Sequence, residues 1–201
     1  MKQISIPSWI VMMLLCGRCF AEDPMDERAT QLAVALGLPT APVARASTAK
    51  LFAVSDTIKA GELQLKQKKI TASQTGSVID IDVLDPNGKL VASARILECS
   101  SFDAARHALL LRLVLNSMGM ESLIQKYELL AGEAGDFCIV EKTFDKTARK
   151  YTADPAMIHF VRGNTVVSLY SGEKDKDIRA TAKVLDAVLS EVSGAEQSEG
   201  K

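Results

Sequence analysis

Apolar and polar positions alternate most clearly between residues 157 and 170, where Met-Ile-His-Phe-Val-Arg and Thr-Val-Val-Ser-Leu-Tyr flank Gly163-Asn164. That dipeptide tolerates positive φ and suits a two-residue hairpin turn. Arg162 is therefore expected opposite Thr165, and the two-residue period of a strand sets every pair behind it. Phe160 then faces Val167 and Ile158 faces Leu169 on one wholly apolar face. The other face carries Met157 with Tyr170, His159 with Ser168, and Val161 with Val166. Half apolar and half polar, it could serve as a wet surface, a dimer contact or the floor of a ligand site. Beyond the hairpin the period changes. Ile178, Thr181, Leu185, Val188, Leu189 and Val192 recur at three- and four-residue spacing, which predicts a helix capped by Asp175 or Asp177 and laid across the apolar face.

The same order occurs upstream. Residues 78–99 alternate around Asp85-Pro86-Asn87-Gly88, which carries the signature of a type I turn. Pairing Asp85 with Lys89 sets Ile79, Ile81, Val83 and Val91 on one face with Ser93 and Arg95 further along, and turns Asp80 and Asp82 toward Ala94 and Ala92. A helix is expected over 102–118, capped by Ser100 with Asp103 and ended by Gly119. Leu109 to Leu115 is apolar on nearly all sides, broken by Arg112, which predicts a central, well-covered helix. Further strands are expected over 62–75, where Lys66, Lys68 and Lys69 suit a sheet edge, over 124–129 and over 137–144, with a charged loop at 145–154. The pattern predicts an α+β fold: an antiparallel β-sheet with helices packed mainly on one face. Residues 78–118 and 157–192 are candidate ββα-like units.

Residues 1–21 read as an export signal rather than structure. Lys2 supplies a positive start, Trp9 and Ile10 to Leu15 a short apolar run, and Cys19-Phe20-Ala21 a small-x-small cleavage site. The run is shorter than the roughly 20 residues that span a bilayer. Lipidation at Cys16 or Cys19 is the rival reading, but Leu15 and Arg18 stand where a lipid-attachment motif wants a small residue. Residues 22–47 form an N-terminal helix and linker: Met25 to Leu36 can be helical, with Gly37 and Pro39 stopping it. Residues 48–192 make a single α+β domain, and 193–201 a disordered tail.

Charge and cysteine content narrow the function. Loss of Lys2 and Arg18 with the leader leaves 22 basic against 25 acidic residues, so no basic field points to nucleic acid. Aromatic content of 5% argues against stacking surfaces for sugars or bases. After cleavage two cysteines remain, Cys99 and Cys138, which in an oxidising compartment are expected to form a disulfide.

Motifs for catalysis are missing: there is no Gly-x-Ser-x-Gly elbow, no phosphate-binding Gly-rich loop and no His-Glu-x-x-His. His107 and His159 are the only imidazoles. Asp80, Asp82, Asp85 and Asn87 invite a calcium site, but residues on a strand cannot wrap oxygens around one ion. The lysines at 66–69 read either as a solvated edge or as an anion-binding patch.

Gly135, Asp136 and Cys138, then Phe160 and Gly163 in the hairpin, then the helix from Asp177, resemble a loose pattern in exported bacterial domains. These are the sensor-type extracellular domains of some receptor kinases and related lipoproteins. The resemblance covers about a third of the chain and carries no functional residue across. The chain also lacks the extra cysteines of the multiply bridged members.

The expectation is therefore a non-catalytic binding or interaction module in the periplasm or outside the cell. It needs no cofactor and no metal. Its partner is an unidentified protein or small molecule of the envelope, or a second copy in a homodimer. Its contact surface is Met157, His159, Val161, Val166, Ser168 and Tyr170. Two rivals stand beside it: a small hydrolase or transferase using His159 or His107, and a structural subunit of an envelope assembly.

Overall fold

The computed structural model describes residues 24–40, 55–73, 76–117, 119–173 and 177–198. The expected leader with Cys16 and Cys19, most of the expected linker, Asp175 and the last three residues lie outside these. Among the described residues eight strands form one antiparallel sheet. Its spatial order is β1 (Thr57–Ala60), β2 (Leu63–Ser73), β3 (Gly76–Leu84), β4 (Leu90–Glu98), β8 (Thr165–Ser171), β7 (Lys150–Arg162), β6 (Phe137–Asp145), β5 (Tyr127–Leu130). The helices are α1 (Pro24–Leu36), α2 (Phe102–Leu115), α3 (Met120–Lys126) and α4 (Arg179–Ser198). The fold is α+β, as the periodicity predicts.

The β7–β8 pairing matches the expected register at each of its pairs, from Arg162 with Thr165 to Met157 with Tyr170. Its apolar face, Ile158, Phe160, Val167 and Leu169, is fully buried together with Ile178, just ahead of α4, and Ala182, Leu185 and Leu189 within it. Asp177 Oδ1 accepts the Arg179 amide at 2.9 Å and caps α4. The opposite face packs under the other three helices. Leu109, Leu110, Leu113 and Val114 of α2 are all buried because α2 lies between β7–β8 and α1. The two ββα units thus send their helices to opposite faces. α2 leaves its own hairpin and covers the next one, so β3 and β4 keep an open polar face.

Several expectations shift. Strand β2 is an edge only in part: β1 pairs along Leu63–Lys66, and the stretch with Lys68 and Lys69 has no outer strand partner among the described residues. Residues 120–126 are helical before the short strand β5, where a strand was expected over 124–129. Ser101, not Ser100, caps α2 by accepting the Ala104 amide at 3.1 Å, and α2 ends at Leu115, ahead of Gly119. The charged stretch 145–154 is a short turn entering a long β7. Helix α4 continues past Val192 through Ser198, helped by the good helix formers Ala195, Glu196 and Gln197.

Behind the hairpin turn sits a lock. The Asp136 carboxylate accepts the Gly163 amide at 2.6 Å, and the Asp136 amide donates to the Val161 carbonyl at 2.6 Å. Arg162 donates from Nε to Asp186 at 2.7 Å, tying the turn to α4. Gly135 and Asp136, prominent in the sequence, thus hold the hairpin in place.

The expected disulfide is absent. Cys99 lies in the core beneath α1 and α2, whereas Cys138 lies in the core beneath α4, on the other side of the sheet. Burial pushes the Cys138 thiol up to about 12 and raises Cys99 too. Leader-free protein is expected to show two thiols in denaturant without any reductant, and neither at a comparable rate when native. A thiol-reagent titration checks this.

Candidate anion-binding groove

The face crossed by α2 is built in rows that run across the strands. The first row is apolar, Val78, Leu97, Val166, Val161 and Phe137. The second reads Lys69, Asp80, Arg95, Ser168, His159 and Ile139, register partner to register partner. The third reads Lys66, Asp82, Ser93, Tyr170 and Met157. Helix α2 buries these rows over β7 and β8 and leaves them open over β2 to β4.

Two register shifts create the polar rows. Between Leu84–Leu90 and Val83–Ala92 the pairing slips by one, leaving Val91 as the extra residue. Ser93 and Arg95 therefore face Asp82 and Asp80, not the alanines, which corrects the expected register. The signal lay in β4 itself: Ala92, Ala94 and Ile96 alternate with Ser93 and Arg95, and only the slipped register sets the alanines beside Val83 and Ile81. A second shift at Lys68 in β2 lets Lys66, Lys68 and Lys69 share the face of the aspartates; Lys68 meets Asp82 at 3.3 Å.

Between this floor and α2 lies a groove of about 590 Å³. Arg95 grips Asp80 with two bonds, Nε at 2.8 Å and Nη2 at 3.3 Å, and holds that carboxyl below its ordinary range. Ser93 donates to Asp82 at 3.0 Å. Arg112 reaches down from α2, donating Nη1 to Ser168 Oγ at 2.9 Å and Nη2 to the Tyr170 hydroxyl. Its guanidinium also lies 5.8 Å from the centre of the Tyr170 ring. Among the described residues, Arg112 and Lys69 have no carboxylate within ion-pair distance.

Behind Arg112 a polar chain runs beneath α2. Ser168 Oγ lies 3.0 Å from His159 Nδ1, and His159 Nε2 lies 3.7 Å from Glu141 Oε2. Glu141 pairs with Lys126 at 2.7 Å, and Lys126 donates to the Asn116 carbonyl at 3.0 Å. Ser168 Oγ accepts from Arg112 and still has its own proton to offer Nδ1, an arrangement that suits a neutral His159 ring with its hydrogen on Nε2, on the side of Glu141. Burial lowers the His159 pKa, and Glu141 offsets this only in part. Burial would raise Glu141, but His159 and Lys126 outweigh it and hold the carboxyl low.

The six residues expected to form a contact surface divide. Val161, Val166, His159 and Ser168 are buried and offer nothing to a partner, because α2 lies on them; Met157 and Tyr170 are half-buried. Only Tyr170 borders the groove. His107 stands on the outside of α2, 3.4 Å from Asp26 of α1, away from this site. No protein family matches. No curated protein and no solved structure does either, so the site is read from its own chemistry. Among the described residues no group of three or more acidic, histidine or cysteine side chains gathers to hold a metal, and no helix is long and apolar enough to cross a membrane.

Arg95 and Arg112 were not among the candidate site residues, whereas Asp80 was weighed only for calcium and Lys69 only as part of an anion-binding patch or a solvated edge. Arg112 had a visible signal, a charge interrupting the apolar run Leu109 to Leu115. The others became a site only through the two register shifts.

Proposed function

We propose that the protein is a non-catalytic binding domain, exported by its leader, that takes an anionic ligand in the groove beside α2. One observation carries this reading. Arg112 is held in the groove wall by two neutral hydroxyls and meets no carboxylate among the described residues. A guanidinium so placed keeps its charge, and beyond the two N–H donors spent on the hydroxyls it keeps three for an incoming oxyanion; hydrogen bonds to charged groups are roughly twice as strong as neutral ones. Lys69 and Lys68 add positive potential from the far rim.

Thermal melts of the folded protein in millimolar inorganic phosphate or citrate test it. Both are expected to raise the melting temperature at constant ionic strength, as a ligand that binds only the native state must. Arg112→Gln is expected to weaken binding tenfold or more. A wild-type protein indifferent to every simple anion would sink the proposal.

A hydrolase is the second reading, favoured by the line from Ser168 through His159 to Glu141. Against it, Ser168 has no exposed surface and Arg112 bonds to its oxygen. Labelling by a fluorophosphonate, lost in Ser168→Ala, would decide for the hydrolase.

A further inference from the structure

Building on the groove reading above, we infer that the ligand is an acidic oligosaccharide: a short chain of sugars with carboxylates toward both ends and hydroxyls between, laid across β3 and β4. The two groove-lining cations with no carboxylate within ion-pair distance among the described residues stand at opposite sides of the groove. Lys69 rises from β2, and Arg112 hangs over Ser168 of β8 in the same cross-strand row. Three strand spacings separate the two ends of that row, about 14 Å at the backbone. A single small ion at Arg112 leaves Lys69 unused.

The floor between these ends is not cationic. It presents Asp80 bound to Arg95, and Asp82 bound to Ser93 and Lys68. A uniformly charged chain, such as polyphosphate or polyglutamate, would set its central charges against both carboxylates. Hydroxyls would donate to them and to Ser93 Oγ instead, and Arg95 supplies donors alongside for ring and glycosidic oxygens. The ligand that suits this order of charges has anions outside and hydroxyls within.

Size agrees. About 590 Å³ lies within the roughly 300–1,000 Å³ of ordinary small-molecule sites, room for a few sugar rings. Recognition here rests on charge and hydrogen bonds rather than aromatic stacking, with the Tyr170 ring flanking the Arg112 end.

Calorimetric titration with glucuronate as the monomer, the linear trimer glucuronate–N-acetylglucosamine–glucuronate, whose middle sugar is neutral, and tripolyphosphate tests the inference. The trimer is expected to bind at least tenfold more tightly than the monomer, and more tightly than tripolyphosphate. Lys69→Ala, at an exposed position that leaves the core untouched, is expected to bring the trimer-to-monomer affinity ratio within twofold; an unchanged melting curve shows that the variant folds. If the trimer gains nothing over the monomer, or if tripolyphosphate outbinds it, the oligosaccharide is excluded while the anion site at Arg112 stands. If phosphate and citrate also fail to bind, the groove reading itself has fallen.

Discussion

Replacing Gly135 by alanine lowers the stability of the fold by about 3 kcal/mol or more, or prevents folding. Two costs combine. Gly135 has φ +66°, a left-handed conformation that costs an L-residue about 1–2 kcal/mol. An alanine Cβ would also lie 2.3 Å from the Val161 carbonyl oxygen and 3.0 Å from the Phe160 ring. Neither neighbour can yield cheaply. That carbonyl accepts the Asp136 amide, Val161 and Phe160 have no exposed surface, and a shift there would pull Asp136 off the Gly163 amide. Gly132→Ala is the control: it has φ +67° with nothing within 4 Å of the added carbon, so it should show the conformational cost alone. Urea melts of the two variants separate strain from collision, and equal losses would show that the close approach does not matter.

Acid is expected to destabilise the protein in two stages, the first set by His159. Its folded pKa lies below the ordinary 6.5, so the unfolded chain binds a proton that the folded one refuses. Its contribution is whole above pH 6.5 and declines as pH falls from there to the folded value. Glu141 follows: with its folded pKa below the ordinary 4.5, its contribution is whole above 4.5 and is lost as pH falls through the folded value. Urea midpoints from pH 8 down to about 2.5 should be level above 7, then fall with a slope of at most one proton, then fall further below 4.5. His159→Gln should flatten the first stage and keep the second. Stability that stays flat in the wild type between pH 7 and 5 would contradict the buried, neutral imidazole.

The hairpin of β7 and β8 was legible in full because Gly163-Asn164 sets its register and no bulge intervenes. The hairpin of β3 and β4 has an equally plain turn, yet one extra residue at Val91 exchanged the faces of Ser93 and Arg95. Alanines at 92 and 94 are too small to announce which face they bury. Residues 120–126 mislead for another reason: seven residues hold too few periods to separate a helix from a strand. The cysteines failed as a pair because sheet faces are not written in sequence distance. Cys99 and Cys138 each reach the core, on opposite sides of one sheet.

β8 follows every other strand in the chain yet occupies the middle of the sheet, between β4 and β7. During synthesis the ribosome therefore releases two half-sheets whose inner edges have no partner until residues 165–171 emerge. Such bare edges invite pairing with neighbouring chains, so a product truncated before Thr165 should clump rather than persist as a smaller folded unit. The same late segment carries Ser168 and Tyr170, the anchors of Arg112. Zipping the two halves together and setting that guanidinium in position are a single event, so no partly made chain presents the completed groove.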